Sequence, residues 1–129
     1  MKNIITTICL GLLLILNFNL SGQGYFDYFK AGDFEAIKVR LNDEVNIQIN
    51  REKKTVSSQK AIEILKNQYN SFHPVKWEVL HLGESEDEDA KYFIAKMFNA
   101  QDEALRLFVH MEGNGASRKI SSIRFRKLL

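Results

Sequence analysis

The sequence predicts one α+β domain over residues 23–129, in which two or three helices near its N-terminus pack on a mostly antiparallel sheet. Before Pro74, the only proline in the chain, apolar residues recur at helical spacing in two or three segments. After Pro74, apolar and polar residues alternate in strand-like runs, and the polar segments between these runs are short enough for hairpins. Helices followed by a hairpin-linked sheet are typical of the α+β class.

Two short helices are predicted to meet at a corner. The aromatic segment 25–31 ends at Gly32, a residue that tolerates the left-handed end of a helix. Asp33 can accept the unpaired N–H groups at the start of the next helix. The apolar stripe of that second helix consists of Phe34, Ile37 and Leu41.

A strand and a third helix follow. Residues 45–50 alternate between apolar and polar side chains, which predicts a half-buried strand. The charged run 51–54 is expected to be a turn before a short extension at 55–56. Ser57 or Ser58 can cap the next helix, whose apolar residues have helical spacing and which the single proline closes.

The four remaining runs predict an antiparallel meander. They are residues 76–83, 91–99, 104–112 and 118–127. Symmetric pairing about the first two turns places His81 opposite Tyr92, Val79 opposite Ile94, Trp77 opposite Lys96, Ile94 opposite Val109 and Phe98 opposite Leu105. That register turns one set of side chains toward the helices: Trp77, Val79, Ile94, Phe98, Leu105, Leu107, Val109 and Met111. One choice of register in the last hairpin adds Ile123 and Phe125 to this set. The other face then carries Leu80, Leu82, Phe93, Ala95, Met97 and Phe108.

The start of the chain has the pattern of a cleavable secretory signal at 1–22. A short positive start precedes an almost unbroken apolar run over residues 4–16 and a polar, small-residue stretch over 17–24. The apolar run is shorter than the ~20 residues that cross a membrane. We therefore expect cleavage before Gln23 and an exported protein, periplasmic or extracellular, with no transmembrane segment in its mature chain.

Composition narrows the functional classes further. Cys9 is the only cysteine and lies inside the predicted signal, so the mature domain has no thiol and must be stabilised by its core. The chain has 18 lysine and arginine residues against 16 aspartate and glutamate residues, and the signal removes Lys2. The balance is nearly neutral, so a charged binding surface has to be local. No cofactor is predicted, and export makes nucleic acid an unexpected partner.

The element order and several segments resemble a known family. Helix, helix, strand, helix and a long meander is the order of cone-shaped nuclear-transport-factor-like (cystatin-like) domains. With the exported start and the segments 29–34, 45–49 and 120–125, the chain resembles small exported bacterial proteins of the domain-of-unknown-function 4783 type. This resemblance implies a strongly curved sheet around the longest helix, and it implies no catalytic residue. The Gln-x-Val-x-Gly hairpin of the inhibitor branch does not occur in the sequence.

The predicted register suggests a ligand pocket on the concave face of the sheet. It brings Trp77, His81, Tyr92 and Lys96 together among aliphatic side chains, and such a cavity is the usual form of a ligand site. His81 beside Tyr92 could transfer protons if burial adjusted the pKa of the histidine. The alternative is that these polar heads lie at the rim of the sheet in water.

Metal binding is not predicted. His73, His81 and His110 fall at a helix end and on opposite faces of the sheet, so they do not converge on one ion. Residues 84–89 include five acidic side chains but lack the glycine and distal glutamate of a calcium loop. We expect them to form a solvated hairpin tip.

The convex face is a second candidate for binding, because basic side chains alternate there with apolar ones. Its candidate residues are Arg106, Phe108, His110, Arg124 and Arg126. Such a face could bind an anionic glycan, a phosphate-bearing envelope component or an acidic protein. It could instead pack against a second copy in a homodimer, or the arginine stems could simply cover apolar surface.

The sequence favours a non-enzymatic exported domain that binds a small ligand or an envelope or extracellular macromolecule. Two alternatives stay open. One is a small-molecule isomerase or hydrolase that uses the cone pocket, and the other is an assembly or dimerisation module that uses the convex face.

Overall fold

The computed structural model describes residues 22–84, 90–114 and 117–128. The predicted signal peptide lies outside these residues except for Gly22. The greater part of the predicted acidic hairpin tip, residues 85–89, also lies outside them.

Three helices pack on one side of a curved six-stranded sheet, so the predicted α+β class is confirmed. The helices are α1 Gly22–Ala31, α2 Phe34–Val39 and α3 Ser58–Phe72. The strands are β1 Leu41–Ile49, β2 Glu52–Ser57, β3 Lys76–Glu84, β4 Ala90–Phe98, β5 Ala104–Glu112 and β6 Lys119–Leu128. Their order in the sheet is β2-β1-β6-β5-β4-β3, and all neighbours are antiparallel except the parallel pair β1 and β6.

The β1–β2 hairpin corrects two expectations. Of the charged run 51–54 only Arg51 belongs to the turn, because β2 begins at Glu52 and pairs with β1 along its whole length. The tight turn consists of Asn50 and Arg51, and the left-handed backbone of Asn50 (φ 55°) helps to reverse the chain. Leu41 is the first residue of β1 and not the end of a helix, since α2 already ends at Val39.

Helix α3 forms as its sequence predicts. The Ser57 side chain accepts a hydrogen bond from the Lys60 N–H (3.2 Å), which satisfies one of the unpaired donors of the first turn. The helix ends at His73 in a left-handed conformation, and Pro74 prevents its continuation. Its buried side chains are Ala61, Ile62 and Leu65.

Aromatic side chains of α1 fill the space between the helices and the sheet. Phe29 is fully buried with its ring edge-on to Phe93, 5.5 Å between centroids, and Phe26 contacts both Phe93 (5.7 Å) and Trp77 (5.9 Å). The Tyr25 hydroxyl donates a hydrogen bond to the Arg118 carbonyl. Burying each phenylalanine contributes about 1.5–3 kcal/mol, so α1 is a major part of the core.

The turn between β4 and β5 shifts the predicted register by one residue. Asn99 belongs to the turn and not to the strand, because its Oδ1 accepts hydrogen bonds from the N–H groups of Gln101 (3.1 Å) and Glu103 (2.9 Å). Asp102 completes the turn with φ 62°. Strand pairing therefore begins at Phe98 opposite Ala104, and the predicted pair of Phe98 with Leu105 is wrong.

This shift reverses the predicted faces of β4. The side chains that face the helices are Phe93, Ala95 and Met97, all fully or nearly fully buried. Their neighbours Tyr92, Ile94, Lys96 and Phe98 face the other way. In β5, by contrast, the predicted inward residues are correct: Leu105, Leu107, Val109 and Met111.

A second irregularity lies in β3. Trp77 and Val79 pair with Met97 and Ala95 on the helix side, but the register shifts between Val79 and His81. The extra residue at this bulge places His81 opposite Ile94, on the side away from the helices.

Tyr69 links α3 to the corner between α1 and α2, because its hydroxyl donates a 2.6 Å hydrogen bond to the Phe29 carbonyl. Burial raises the pKa of Tyr69 above the usual value near 10, so the folded state favours the neutral phenol. This preference contributes fully to the free energy of unfolding below that usual pKa, and the contribution is lost as the pH rises above it.

We expect Tyr69→Phe to lower the free energy of unfolding by about 1 kcal/mol at pH 7, through loss of the hydrogen bond. The variant should then lose less stability than the wild type between pH 9 and about 11. Urea unfolding at a series of pH values measures both effects. Tyr28→Phe is the control, because the Tyr28 hydroxyl has no hydrogen-bond partner within the described residues. Equal alkaline losses in all three proteins would contradict the assignment.

Candidate functional site

The side of the sheet away from the helices, hereafter the open face, carries a row of stacked side chains. The ring of His81 stacks on Tyr92 with 5.3 Å between centroids, and Tyr92 stacks on Phe108 at 5.7 Å. The guanidinium carbon of Arg124 lies 4.4 Å from the centre of the Phe108 ring. The row crosses four strands from β3 to β6, and each member holds the next in place.

Gly83 makes room for this row. A methyl group at position 83 would overlap the Tyr92 ring, so only glycine lets that ring lie against the β3 backbone. Gly83 pairs with Tyr92 across β3 and β4 and has no left-handed backbone that would itself require glycine. Glycine is therefore required at position 83 because the Tyr92 ring occupies the space that a side chain would take.

Arg124 is prepared for anion binding by its contact with Phe108. A guanidinium held against an aromatic face keeps the N–H donors on its edge available, and the attraction contributes about 0.5–1 kcal/mol at an exposed site. Among the described residues, no carboxylate lies within ion-pair distance of Arg106, Arg124 or Arg126. These guanidinium groups remain available to a ligand.

Two adjacent depressions on the open face share lining residues and are together called the groove. The first lobe, about 430 Å³, lies over β2, β1, β6 and β5. The second lobe, about 590 Å³, runs from the β1–β2 turn across β6 and β5 to β4. Gln48, Phe108 and Arg124 line both lobes, so Arg124 lies at their junction.

The groove is strongly cationic. Three lysine or arginine residues line the first lobe and five line the second, and Arg124 is common to both, which makes seven. The seven are Arg51, Lys53, Lys54, Arg106, Arg124, Arg126 and Lys127. The strand pairings place the side chains of Lys53, Arg106, Arg124 and Arg126 on the open face. Lys54 and Lys127 pair with the buried Ile47 and Leu105, so their side chains lie on the helix side. No described carboxylate lines either lobe. In a domain of nearly neutral net charge, this concentration of one sign creates a local positive field.

Neutral polar groups lie among these cations. The Gln48 side-chain amide donates to the Asn50 carbonyl (2.8 Å), and the Thr55 hydroxyl donates to Asn46 Oδ1 (2.8 Å). Asn50 Oδ1 accepts from the Lys127 N–H (3.0 Å). These bonds fix the amides of the β1–β2 hairpin in the groove.

His110 lines the first lobe beside a serine and a glutamate, but the three do not form a catalytic triad. Ser121 Oγ lies 3.0 Å from His110 Nδ1, and Glu112 Oε1 lies 3.8 Å from the same nitrogen. A triad requires the serine and the carboxylate on different ring nitrogens. Ser121 also donates to the His110 carbonyl (3.3 Å), so its hydroxyl closes a bond across β5 and β6.

The four residues of the predicted concave pocket do not come together. Trp77 lies on the helix side, where Phe26 contacts it, whereas the strand pairings place His81, Tyr92 and Lys96 on the open face. The space under the sheet in which a cone pocket was expected is filled by α1, through Tyr25 and the two phenylalanines described above. The one-residue shift at Asn99 and the β3 bulge account for the difference.

The five residues predicted on the convex face lie together on the open face. Arg106 pairs with Arg126, Phe108 with Arg124, and His110 with Ser122. Sequence reasoning missed the contribution of the β1–β2 hairpin, chiefly Gln48, Arg51 and Lys53. The only signal in the sequence is the basic character of residues 51–54, which was interpreted as a turn.

Neither a metal site nor a membrane span is found in the described parts of the chain. No cluster of three or more histidine, cysteine, aspartate or glutamate side chains is placed to hold an ion there. Within the same residues, no helix has both the length and the apolar character needed to cross a membrane.

Comparison with known proteins identifies the family. The profile of a domain of unknown function, DUF4783, matches residues 24–126. The chain belongs to the DUF4783 family. A search of curated proteins finds no match.

Solved structures of DUF4783 proteins share the fold. A protein from Bacteroides ovatus has a TM-score of 0.71 at 18% identity, over 80% of this chain and 91% of its own. One from Bacteroides fragilis has a TM-score of 0.68 at 23% identity, with coverages of 78% and 92%. An NTF-2-like protein of unknown function from Silicibacter pomeroyi has a TM-score of 0.57 at 14% identity, with coverages of 81% and 87%. At these identities the likeness shows the fold alone, and it confirms the nuclear-transport-factor-like resemblance.

The packing of Tyr92 on Gly83 can be tested with a double-mutant cycle. We expect Gly83→Ala to cost about 1–3 kcal/mol in the free energy of unfolding, because the new methyl group displaces the ring. In a Tyr92→Ala background the same change should cost almost nothing. Urea unfolding of the four proteins measures the coupling. An equal cost of Gly83→Ala in both backgrounds would show that the ring is not the obstacle.

Proposed function

We propose that this DUF4783 domain binds an anionic ligand in the groove on the open face of its sheet. The observation that carries the proposal is the set of four basic side chains that the strand pairings place in the groove, Lys53, Arg106, Arg124 and Arg126, with no described carboxylate in the lining. Arg124 is the central contact, because it lines both lobes and is held against Phe108. Arginine suits carboxylate and phosphate groups because its planar donors match two acceptor oxygens at once.

Binding is favoured over catalysis by what surrounds the groove. General acid–base catalysis needs a titratable group within hydrogen-bond reach of the reacting atom and a neighbouring group that adjusts its pKa. His110 is the only described histidine in the groove lining, and its serine and glutamate neighbours share one ring nitrogen. The isomerase or hydrolase alternative required a cone pocket, and aromatic side chains fill that space.

A symmetric dimer through this groove is disfavoured by charge. Two copies packed open face to open face would bring Lys53, Arg106, Arg124 and Arg126 of one groove toward the same residues of the other, with no described carboxylate in either lining to offset them. Like charges in apposition oppose association. An external anion removes this repulsion and satisfies the guanidinium donors.

Citrate is a suitable first probe, because it is a small polycarboxylate. We expect isothermal titration calorimetry at low ionic strength to detect binding that weakens as salt is added. Arg124→Gln should weaken that binding by about 10- to 100-fold, the value of a hydrogen bond to a charged group. Arg124→Lys should restore only part of it, because lysine cannot offer a planar fork.

Lys38→Gln is the matched control for this experiment. It removes the same charge from an exposed position on α2, on the helix side of the sheet. Its citrate affinity should equal that of the wild type. Equal weakening by Lys38→Gln and Arg124→Gln would indicate a diffuse charge effect, and absence of citrate binding by the wild type would reject the groove as an anion site.

We further propose that the protein is exported and acts outside the cytoplasm, on the basis of the predicted signal at 1–22. Expression of the full chain in a bacterial host should yield an extracytoplasmic protein whose first residue is Gln23, by N-terminal sequencing. Leu13→Arg, which places a charge in the apolar run, should retain the protein in the cytoplasm with residues 1–22 attached. Cytoplasmic retention of the unmodified chain would contradict export.

A further inference from the structure

The register of the sheet sets the spacing of contacts along the groove. Lys53 on β2 pairs with Gln48 on β1, and Gln48 pairs with Arg124 on β6. Neighbouring strands lie about 4.8 Å apart, so the backbones at Lys53 and Arg124 are about 10 Å apart with Gln48 midway. The Arg124 guanidinium lies over Phe108 on β5, on the side of β6 away from Lys53, so a ligand that contacts both cations extends across the strands.

Gln48 places a hydrogen-bond acceptor between these two cations. Its side-chain nitrogen donates to the Asn50 carbonyl, which fixes the orientation of the amide and turns Oε1 away. Within the described residues Oε1 has no donor partner. An oxygen acceptor in the middle of a cationic groove does not suit a ligand that carries only anionic oxygens. It suits a ligand with a hydroxyl group between its anionic groups.

The aromatic side chains of the groove are not available for stacking with nucleobases. Phe108 has Tyr92 on one side and the Arg124 guanidinium over its ring, and Tyr92 is also stacked on His81. Proteins that bind single-stranded nucleic acid expose aromatic faces for the bases. Here those faces are already occupied by neighbouring side chains.

We propose that the ligand is a linear polysaccharide that carries carboxylate groups and lies across the strands of the open face. One carboxylate binds at Lys53, another binds at Arg124, and a sugar hydroxyl between them donates to Gln48 Oε1. The chain continues into the second lobe, where Arg106 and Arg126 are paired across β5 and β6. This inference rests on the proposed anion binding and adds the length of the ligand and its hydroxyl groups.

A series of galacturonate oligomers tests the predicted length. Calorimetry with galacturonate and its dimer, trimer, tetramer and hexamer should show affinity rising by about 100-fold or more, because the second lobe is engaged by the same chain. The rise should stop once an oligomer spans both lobes. The methyl-esterified oligomers, which have the same backbone without charge, are expected not to bind.

Variants in the two lobes should show whether one oligomer contacts both lobes of the groove at once. Lys53→Gln in the first lobe and Arg106→Gln in the second should each weaken hexamer binding and reduce the gain from monomer to hexamer. Lys38→Gln should leave that gain unchanged. A gain unaffected by Lys53→Gln or by Arg106→Gln would overturn the spanning geometry.

Gln48→Leu tests the hydroxyl contact. We expect it to weaken hexagalacturonate binding by about tenfold, the value of one hydrogen bond, and to leave inorganic tripolyphosphate binding unchanged. The polyphosphate arm also controls for the lost Gln48–Asn50 hydrogen bond, since damage to the hairpin would weaken both ligands. Gln59→Leu, at an exposed position on α3, is the matched control for the substitution itself.

The outcomes distinguish this inference from the proposed function. If citrate binds but galacturonate oligomers show no gain with length, the anion site stands and the polysaccharide inference is wrong. If tripolyphosphate or oligothymidylate binds as tightly as hexagalacturonate and Gln48→Leu affects none of them, the ligand is not selected by its hydroxyl groups and the inference is also overturned. If no anion binds at all, the proposed function fails first.

Discussion

The hydrogen bonds that Asn99 accepts from its own turn are the constraint on which the two faces of the sheet depend. They fix Phe98 opposite Ala104, and a strand paired one residue away would exchange its buried and exposed side chains. Because of this turn, Phe93 meets the aromatic side chains of α1, while Tyr92 takes its place on the open face. Core and groove are thus two results of the same register.

The elements of the fold could be predicted because their signals are local. Helical spacing, the Ser57 cap and Pro74 define α3, and alternation defines the meander strands. Register could not be predicted in the same way, because a side-chain amide that caps a turn looks identical in sequence to the last residue of a strand. The bulge after Val79 adds a second shift of the same kind, and together they dispersed the predicted pocket.

The composition of the groove depends on the parallel pairing of β1 with β6. Sequence reasoning placed Arg106, Arg124 and Arg126 on one face from period-2 alternation alone, and the strand pairings agree. It could not place Lys53 beside them. Lys53 reaches β6 through β1, and two parallel strands far apart in sequence are not joined by a hairpin turn from which their register could be derived. The β1–β2 hairpin supplies both the additional cations and the amide groups, so half of the site comes from a long-range contact.

The same parallel pair has a kinetic consequence. Strands β1 and β6 are neighbours in the middle of the sheet, yet they lie near opposite ends of the domain sequence. A chain leaving the ribosome cannot complete its sheet until β6 has been made, and sheets rich in such distant contacts fold slowly. The central pairing of the sheet therefore forms only after almost the whole domain has been synthesised.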